Sequence, residues 1–179
     1  MATIFGHALV AGAGSWISTN NKKIMLWCCI SSMIPDADVI GFYINISYES
    51  LFGHRGFSHG LFFALMWAFF IKKTVFKSTP IRDKTGITIL VLLFLSTASH
   101  GVLDACTTGG KGVAFLSPFS NHRYFFPWRF ITVSPIGAAK FIGERGLGIL
   151  RNEAIFLGIP SVIALIINRF RKSRLRKNQ

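Results

Sequence analysis

Five apolar segments dominate the chain and restrict it to folds that bury long helices. They span residues 4–19, 24–34, 61–76, 86–103 and 154–167. The hydrocarbon core of a bilayer is about 30 Å thick and takes roughly 20 helical residues to cross. The second segment, with about 11 residues, is therefore predicted to be too short to span it. We expect an all-α, polytopic membrane helical bundle built from about three to five of these segments.

Positive charge marks one end of each segment. The chain has 20 Lys plus Arg against 7 acidic residues, which gives a net charge of +13. The basic residues cluster at 22–23, at 72–84 and at 169–177. Nucleic acid can attract such a charge, but clusters that flank apolar segments are better explained by the positive-inside rule and by anionic headgroups. We expect no nucleic-acid partner, a membrane domain over residues 1–168 and a basic cytoplasmic tail over residues 169–179.

Ionisable side chains gather at the opposite ends of the same segments. They are His7, Asp36, Asp38, His54, His59, His100 and Asp104. If the chain crosses the membrane alternately from an outer N-terminus, all of them reach one non-cytoplasmic face. Unpaired charge in an apolar setting costs several kcal/mol, so such groups usually have a use. Imidazole plus carboxylate is a ligand set of Zn²⁺, and we predict a metal site near one membrane face.

Each motif also has a simpler interpretation. His100 and Asp104 lie four residues apart on one helix face, where they can share a metal or form a hydrogen-bonded helix end. The two carboxylates in residues 35–38 can bridge two metals, or make an Asx-turn and a helix cap. Residues 53–60 hold two His and one Arg among three Gly, which lets the backbone approach a ligand beside a helix N-terminus. His7 alone would be a buried core histidine.

Taken in order, these motifs resemble those of the LexA-regulated, metal-dependent hydrolases of the bacterial inner membrane. The resemblance continues through residues 104–110, 117–119 and 124–129. It implies a multi-pass inner-membrane protein with its site facing the periplasm and its C-terminus in the cytoplasm. It also implies metal ligands, namely His7, Asp36 or Asp38, His59, His100 and Asp104, with His54 a ligand or general acid.

That family in turn resembles the superfamily of zinc-dependent phospholipase C and single-strand nucleases. Those soluble enzymes hold a cluster of metals, and they use a later His and a His-x-x-x-Glu pair. Here only His122, Glu144 and Glu153 remain, and they form no such pair. We therefore expect one or two divalent ions, with zinc as the predicted metal.

Hydrolysis fits this set of residues better than redox chemistry does. A metal with open positions lowers the pKa of bound water to about 7 and polarises a phosphoryl oxygen. A carboxylate that is not a ligand can take the water proton, and Asp38 is predicted for this role, with His54 and Arg55 as the other candidate catalytic residues. The guanidinium groups of Arg55, Arg123 and Arg129 can pair with phosphate oxygens or simply anchor the chain at the membrane interface. The chain lacks a Gly-x-Ser-x-Gly element, which favours a phosphate ester of a lipid or lipid-linked substrate. A metal-ion transporter and a non-catalytic membrane protein remain alternatives.

Overall fold

A computed structural model describes the backbone of residues 1–137 and 141–177 and the side chains of residues 1–137 and 141–175. Within these residues the chain forms six α-helices. They are α1 (Ile4–Thr19), α2 (Lys22–Met33), α3 (Leu61–Thr74), α4 (Lys84–Ala105), α5 (Glu144–Glu153) and α6 (Ile159–Lys177). Among the described residues, β pairing is limited to two isolated bridges. The all-α prediction is confirmed.

Two adjacent asparagines make the tight connection between α1 and α2. Asn20 ends α1 in the left-handed region, with φ of 52°, and its N–H donates to the carbonyl of Trp16. Asn21 begins α2, where its side chain accepts hydrogen bonds from the backbone of Lys23 and Ile24. Asn tolerates the left-handed region and is a preferred N-cap residue. The pair therefore reverses the chain with no intervening loop and forms an antiparallel hairpin.

The second apolar segment is longer than its sequence pattern predicts. A 3₁₀-helix, Ile34–Ile44, follows α2 directly, so the helical stretch Lys22–Ile44 has 23 residues. Pro35 has no N–H to donate to an α-helical carbonyl, and beyond it the chain continues in the tighter winding. The prediction that this segment is too short to cross a membrane is therefore wrong.

The fifth segment is also extended. A π-helical turn, Ala154–Gly158, joins α5 to α6, and helix continues to Lys177. Helix α6 thus runs through position 168, where the membrane domain was predicted to end. The division into residues 1–168 and 169–179 stays a prediction, and its last two residues lie outside the described part of the chain.

The helices pack so that the two ends of the bundle differ. Helix α2 packs against α1 and α4, α3 packs against α4, and α6 packs against α1. The basic clusters lie together at one end, where Lys23 Nζ donates to the carbonyl of Val75 over 3.3 Å. The adjoining part of the interior holds a buried apolar cluster, which consists of Ile24, Cys28, Ala68, Ile71, Phe76, Ile89 and Leu93. The buried ammonium of Lys72 lies beside this cluster and donates to the carbonyls of Phe76 and Thr79.

Three helical stretches are long and apolar enough to cross a membrane. They are Lys22–Ile44, Lys84–Ala105 and Glu144–Leu175. Large apolar side chains such as Phe70, Leu95 and Ile163 are about half exposed on the outer surface of the bundle. Such surfaces suit a hydrocarbon surrounding, because a soluble monomer rarely exposes so much apolar area. The helical membrane bundle predicted from the sequence is confirmed.

The segment between α4 and α5 closes the end of the bundle opposite the basic clusters. Its backbone is tied to several elements: Ala114 N donates to Arg55 O over 3.0 Å, and Ser134 N donates to Met1 O over 2.9 Å. These bonds satisfy backbone groups that would otherwise be unpaired beside the membrane. The long connection is therefore a cover over the interior of this end.

Candidate metal centre

Four ionisable side chains converge beneath that cover. Asp36 comes from the 3₁₀ extension of α2, His59 from a short 3₁₀ turn (Phe57–His59) before α3, and His100 and Asp104 from the last turns of α4. All four are buried, with side chains 0–6% exposed. One ligand atom from each lies within 4.8 Å of all the others. The structure thus brings together four of the five predicted ligands in one shell.

The spacing of these donor atoms matches a tetrahedral ion. From His59 Nε2, the distances are 3.0 Å to His100 Nε2, 3.7 Å to Asp36 Oδ1 and 3.6 Å to Asp104 Oδ2. From His100 Nε2 to the same two oxygens they are 3.3 and 4.0 Å. Bonds of about 2.0–2.1 Å to a tetrahedral zinc require edges of about 3.3–3.4 Å between donors. The observed edges bracket that value.

Several buried atoms in the centre have no hydrogen-bond partner. They include both carboxylate oxygens of Asp36 and both ring nitrogens of His7. Buried polar atoms are nearly always satisfied, and an unsatisfied oxygen carries a desolvation cost of about 1–3 kcal/mol or more. A cation among them would remove this cost. The residues therefore fit a metal ion.

Charge leads to the same conclusion. The buried carboxylates of Asp36, Asp38 and Asp104 face one buried guanidinium, that of Arg55. With the histidines neutral, as they would be when bound to a metal, these side chains carry two net negative charges, which a divalent cation would neutralise. Uncompensated charge of that size is costly in a low-dielectric interior.

Each of the two ligating histidines is oriented through its other ring nitrogen. His100 Nδ1 lies 2.6 Å from the carbonyl of Ser32, to which it donates. His59 Nδ1 lies 3.1 Å from Asp38 Oδ2. A hydrogen bond of this kind fixes the tautomer that leaves Nε2 free to bind metal. The arrangement is typical of metal-ligating histidines in proteins.

Asp38 belongs to the supporting layer of the centre. Its Oδ1 lies 2.6 Å from His54 Nδ1, and its Oδ2 accepts from Ser58 Oγ at 2.6 Å and from Arg55 N at 3.1 Å, beside His59 Nδ1. Asp38, His54 and His59 also lie close enough to form a second ligand group. Because these contacts already engage both carboxylate oxygens of Asp38, its geometry favours positioning over ligation.

Protonation differs between the two histidines that Asp38 holds. Burial lowers the pKa of His54, and the hydrogen bond that it donates to Asp38 only partly opposes this shift. For His59 burial also acts to lower the pKa, but the carboxylates of Asp104, Asp36 and Asp38 around the ring outweigh it, so its pKa is well above the ordinary value. His54 is therefore neutral near pH 7, while His59 binds a proton strongly when no metal takes its place.

His7 lies at the edge of the four-ligand shell. Its ring stacks on that of His100, with centroids 3.7 Å apart and planes 12° apart. Its Nε2 is 3.6 Å from Asp104 Oδ1, an oxygen that already accepts from the N–H of Ala2 at 2.8 Å. His7 thus contacts the centre through Asp104, and its role as a direct ligand stays a prediction.

Arg55 is engaged by protein groups. Its Nε is 2.9 Å from Asp104 Oδ2, Nη1 donates to Gly109 O over 2.9 Å, and Nη2 donates to Thr107 Oγ1 over 3.0 Å. The side chain is completely buried. In this geometry Arg55 is the counter-ion that holds Asp104 toward the ligand shell.

The other two predicted phosphate-binding arginines lie apart from the ligand shell. Arg123 donates to the carbonyls of His54 and Tyr48, at 2.9 and 2.8 Å, and so fastens the loop that leads to His59. Arg129 is exposed, with its guanidinium 4.8 Å from the ring centroid of Phe125. Cation–π stacking of this kind is common at membrane interfaces. Substrate binding by either residue stays a prediction.

Sequence reasoning missed some supporting groups. The carbonyl of Ser32 and the N–H of Ala2 are backbone groups, which no side-chain pattern reveals. Glu153 is buried and accepts from the N–H and the hydroxyl of Thr3, both at 2.5 Å, at the start of α1. The signal available for Glu153 was an acidic residue directly before an apolar segment, in a chain with few acids.

Comparison with known proteins now adds the family. The family model described as YdjM inner membrane protein matches residues 3–175. The chain belongs to this family. Inner membrane protein YbcI of Escherichia coli (strain K12) is 33% identical over 171 residues, which cover 92% of this chain and 95% of that protein. No solved structure matches.

Family membership confirms the predicted resemblance to a LexA-regulated inner-membrane family and supports a multi-pass inner-membrane location. It extends over nearly the whole chain, including every residue of the metal centre. The further resemblance to zinc-dependent phospholipase C, the identity of the metal and the orientation in the membrane stay predictions.

Proposed function

We propose that this protein is a membrane-bound, metal-dependent hydrolase that acts on a phosphate ester of a lipid or lipid-linked substrate. The observation that carries the proposal is the buried set of four donors, in which both oxygens of Asp36 lack a protein partner. A structural ion would need such donors too, but a hydrolase also needs a base and room for an apolar tail. Both have candidates beside the centre.

The chemistry of the centre is divided among its residues. A divalent metal bound here would supply Lewis acidity to a phosphoryl oxygen and make water a better nucleophile near neutral pH. His54 is neutral and has Nδ1 fixed by Asp38, which leaves Nε2 to accept a proton. We therefore assign the base to His54 and its orientation to Asp38. This differs from the sequence prediction, in which Asp38 was the base and His54 was a ligand or the general acid.

An apolar groove next to the centre suits a lipid tail. Its volume is about 310 Å³, and it lies between α3, α4 and the covering segment. The residues that line it include Leu61, Phe62, Leu65, Phe94, Phe115 and Phe119. Gly101 lies between the two: a Cβ added there would contact the carbonyl of His59, a residue of the centre, and the ring of Phe115, a residue of the groove. The groove and the centre are therefore adjacent. An acyl or prenyl chain in this groove would place its polar end near the ligands.

Metal transport is less well supported by the same structure. A transported ion would have to pass from the centre to the basic end of the bundle. The buried apolar cluster that includes Ile71, Ile89 and Leu93 lies in the interior there. Ionisable side chains on a conduction path are expected along the membrane interior rather than at one end.

The test is hydrolysis by purified protein in detergent. With added Zn²⁺ or Mn²⁺, a panel of phospholipids and polyprenyl phosphates should yield a soluble phosphorylated headgroup or free phosphate, and a chelator should stop the release. His54→Gln should abolish product while metal content is kept, and His122→Gln, at an exposed histidine, serves as the matched control. Retained metal with no product from any substrate would reduce the centre to a structural site. Metal flux in proteoliposomes would favour transport instead.

A further inference from the structure

We propose that the groove between α1, α2 and α6, at the basic end of the bundle, binds an anionic phospholipid. Two cavities form this groove, with volumes of about 650 and 480 Å³. They share Trp16 and Leu165, so they are continuous. One is lined by basic and polar side chains beside apolar ones, and the other is almost wholly apolar, which resembles the division that a phospholipid shows between its headgroup and its acyl chains. We call the two cavities together the lipid groove.

The polar cavity has the chemistry of a headgroup site. It is lined by Arg169 and Lys172 of α6, together with Asn20 at the end of α1 and Asn168 and Ser173. Two cations one helical turn apart face the same space, and amide and hydroxyl groups beside them can donate to ester oxygens. A phosphodiester accepts such donors, and the guanidinium matches its geometry bidentately. Basic pockets between membrane helices bind anionic headgroups in this way.

The apolar cavity continues from that site along α1. Its lining includes Ala8, Leu9, Gly12, Ala13 and Met25. Alanine and glycine on this face of α1 leave a depression between the larger side chains of α2 and α6. From residue 8 to residue 20 a helix rises by about 18 Å, close to the apolar depth of one leaflet, about 15 Å. A single acyl chain therefore fits along α1 with its headgroup beside Arg169.

Charge complementarity decides the class of lipid. Lys22 lines the apolar cavity and follows Asn20, which lines the headgroup cavity, by two residues, so it supplies a third cation near the headgroup. A zwitterionic headgroup would bring an ammonium among these cations, whereas a phosphatidylglycerol-type headgroup brings only negative charge. The site is at the other end of the bundle from the metal centre, so the proposal is independent of hydrolysis.

The probe is delipidated full-length protein in detergent, studied by native mass spectrometry. When the lipids are added back, phosphatidylglycerol should bind more tightly than phosphatidylethanolamine with the same acyl chains. The double substitution Arg169→Gln and Lys172→Gln should weaken phosphatidylglycerol binding by about tenfold or more, because it removes both cations that line the headgroup cavity.

The matched control is Arg171→Gln with Arg174→Gln, which removes the same charge from exposed positions of the same helix. It should leave the preference for phosphatidylglycerol nearly unchanged. Ala8→Phe, which fills the apolar part, should weaken both lipids alike; its size-exclusion profile and thermal unfolding show whether it folds. Equal loss of binding in the two charge variants would overturn the proposal, because general electrostatic attraction would then explain binding. Full competition by glycerol phosphate would also overturn it, because binding would then need a headgroup site but no acyl-chain groove.

Discussion

The Nε2 atoms of His59 and His100 face each other at 3.0 Å in the buried centre of the bundle. His100 donates through Nδ1 to the carbonyl of Ser32, so its Nε2 is an acceptor when the ring is neutral. Without metal, the proton between the rings must therefore belong to His59. This agrees with the high pKa of His59, which has carboxylates near both ring nitrogens.

This relationship predicts that a metal displaces a proton. Because the pKa of His59 is raised well above its ordinary value, a divalent ion must compete with a proton on that ring in the metal-free protein. Metal affinity should fall as pH is lowered, by up to about tenfold per pH unit below that pKa. Isothermal titration in buffers of different ionisation enthalpy should show release of about one proton near pH 7.

His59→Gln is the control for that measurement, since it removes the titrating ring. The variant should bind metal more weakly and release less proton. An affinity that does not change between pH 6 and 8 in the unmodified protein would contradict this assignment.

Asp38 should change the metal affinity of the centre without being a metal ligand itself. Asp38→Asn keeps the shape of the side chain but weakens its hold on His54 and His59. Loss of such a supporting carboxylate typically lowers metal affinity by about 10–100-fold. Competition with a chromophoric chelator should give a shift in that range while the metal-to-protein ratio at saturation is unchanged. A complete loss of metal would make Asp38 a ligand instead.

Arg55 should contribute to the stability of the folded protein. Arg55→Gln leaves the carboxylate of Asp104 buried without its cation, and removing one partner of such a pair costs about 3–5 kcal/mol. Thermal unfolding in detergent should therefore begin at a clearly lower temperature in metal-free protein, and added metal should restore part of the difference. Arg129→Gln, at an exposed arginine, is the control. Unchanged stability of the Arg55 variant would argue that this arginine serves a substrate.

How far the sequence predicts this site depends on the kind of group involved. The helix bounds of α1 and the convergence of Asp36, His59, His100 and Asp104 could be inferred, because apolar periodicity and charge clusters report which ends of segments meet. The division between ligands and supporting residues could not. Asp36 and Asp38 are two residues apart, and only the 3₁₀ path after Pro35 decides which one faces the metal.

The second and fifth segments show the limits of hydropathy. A proline after a short apolar run is ordinarily a helix end, but here Ile34–Ile44 continues as a 3₁₀-helix because tertiary contacts hold it. Likewise, α5 is too polar to be recognised as part of a span, although it continues through a π-helical turn into α6. In both cases the local sequence pattern describes each helical piece correctly but does not show that the two pieces form one continuous helical stretch.

Orientation in the membrane can be tested with cysteines. The positive-inside rule predicts that the basic end of the bundle is cytoplasmic and that the metal centre faces the periplasm. A cysteine introduced within residues 107–121 should react with a membrane-impermeant maleimide from outside cells with a permeabilised outer membrane. One introduced after Arg171 should react only after lysis. These experiments need a background in which Cys28, Cys29 and Cys106 are replaced. The reverse labelling pattern would place the centre on the cytoplasmic side.

The central claim is that Asp36, His59, His100 and Asp104 bind one divalent ion, and X-ray absorption at the zinc edge tests it most directly. Zinc-loaded protein should show about four nitrogen or oxygen neighbours at about 2.0–2.1 Å, with the outer-shell scattering of two imidazoles. His100→Ala should lose the metal or one imidazole, and His122→Ala should not change the spectrum. Sulfur neighbours at about 2.3 Å, or the same spectrum after His100→Ala, would contradict the claim.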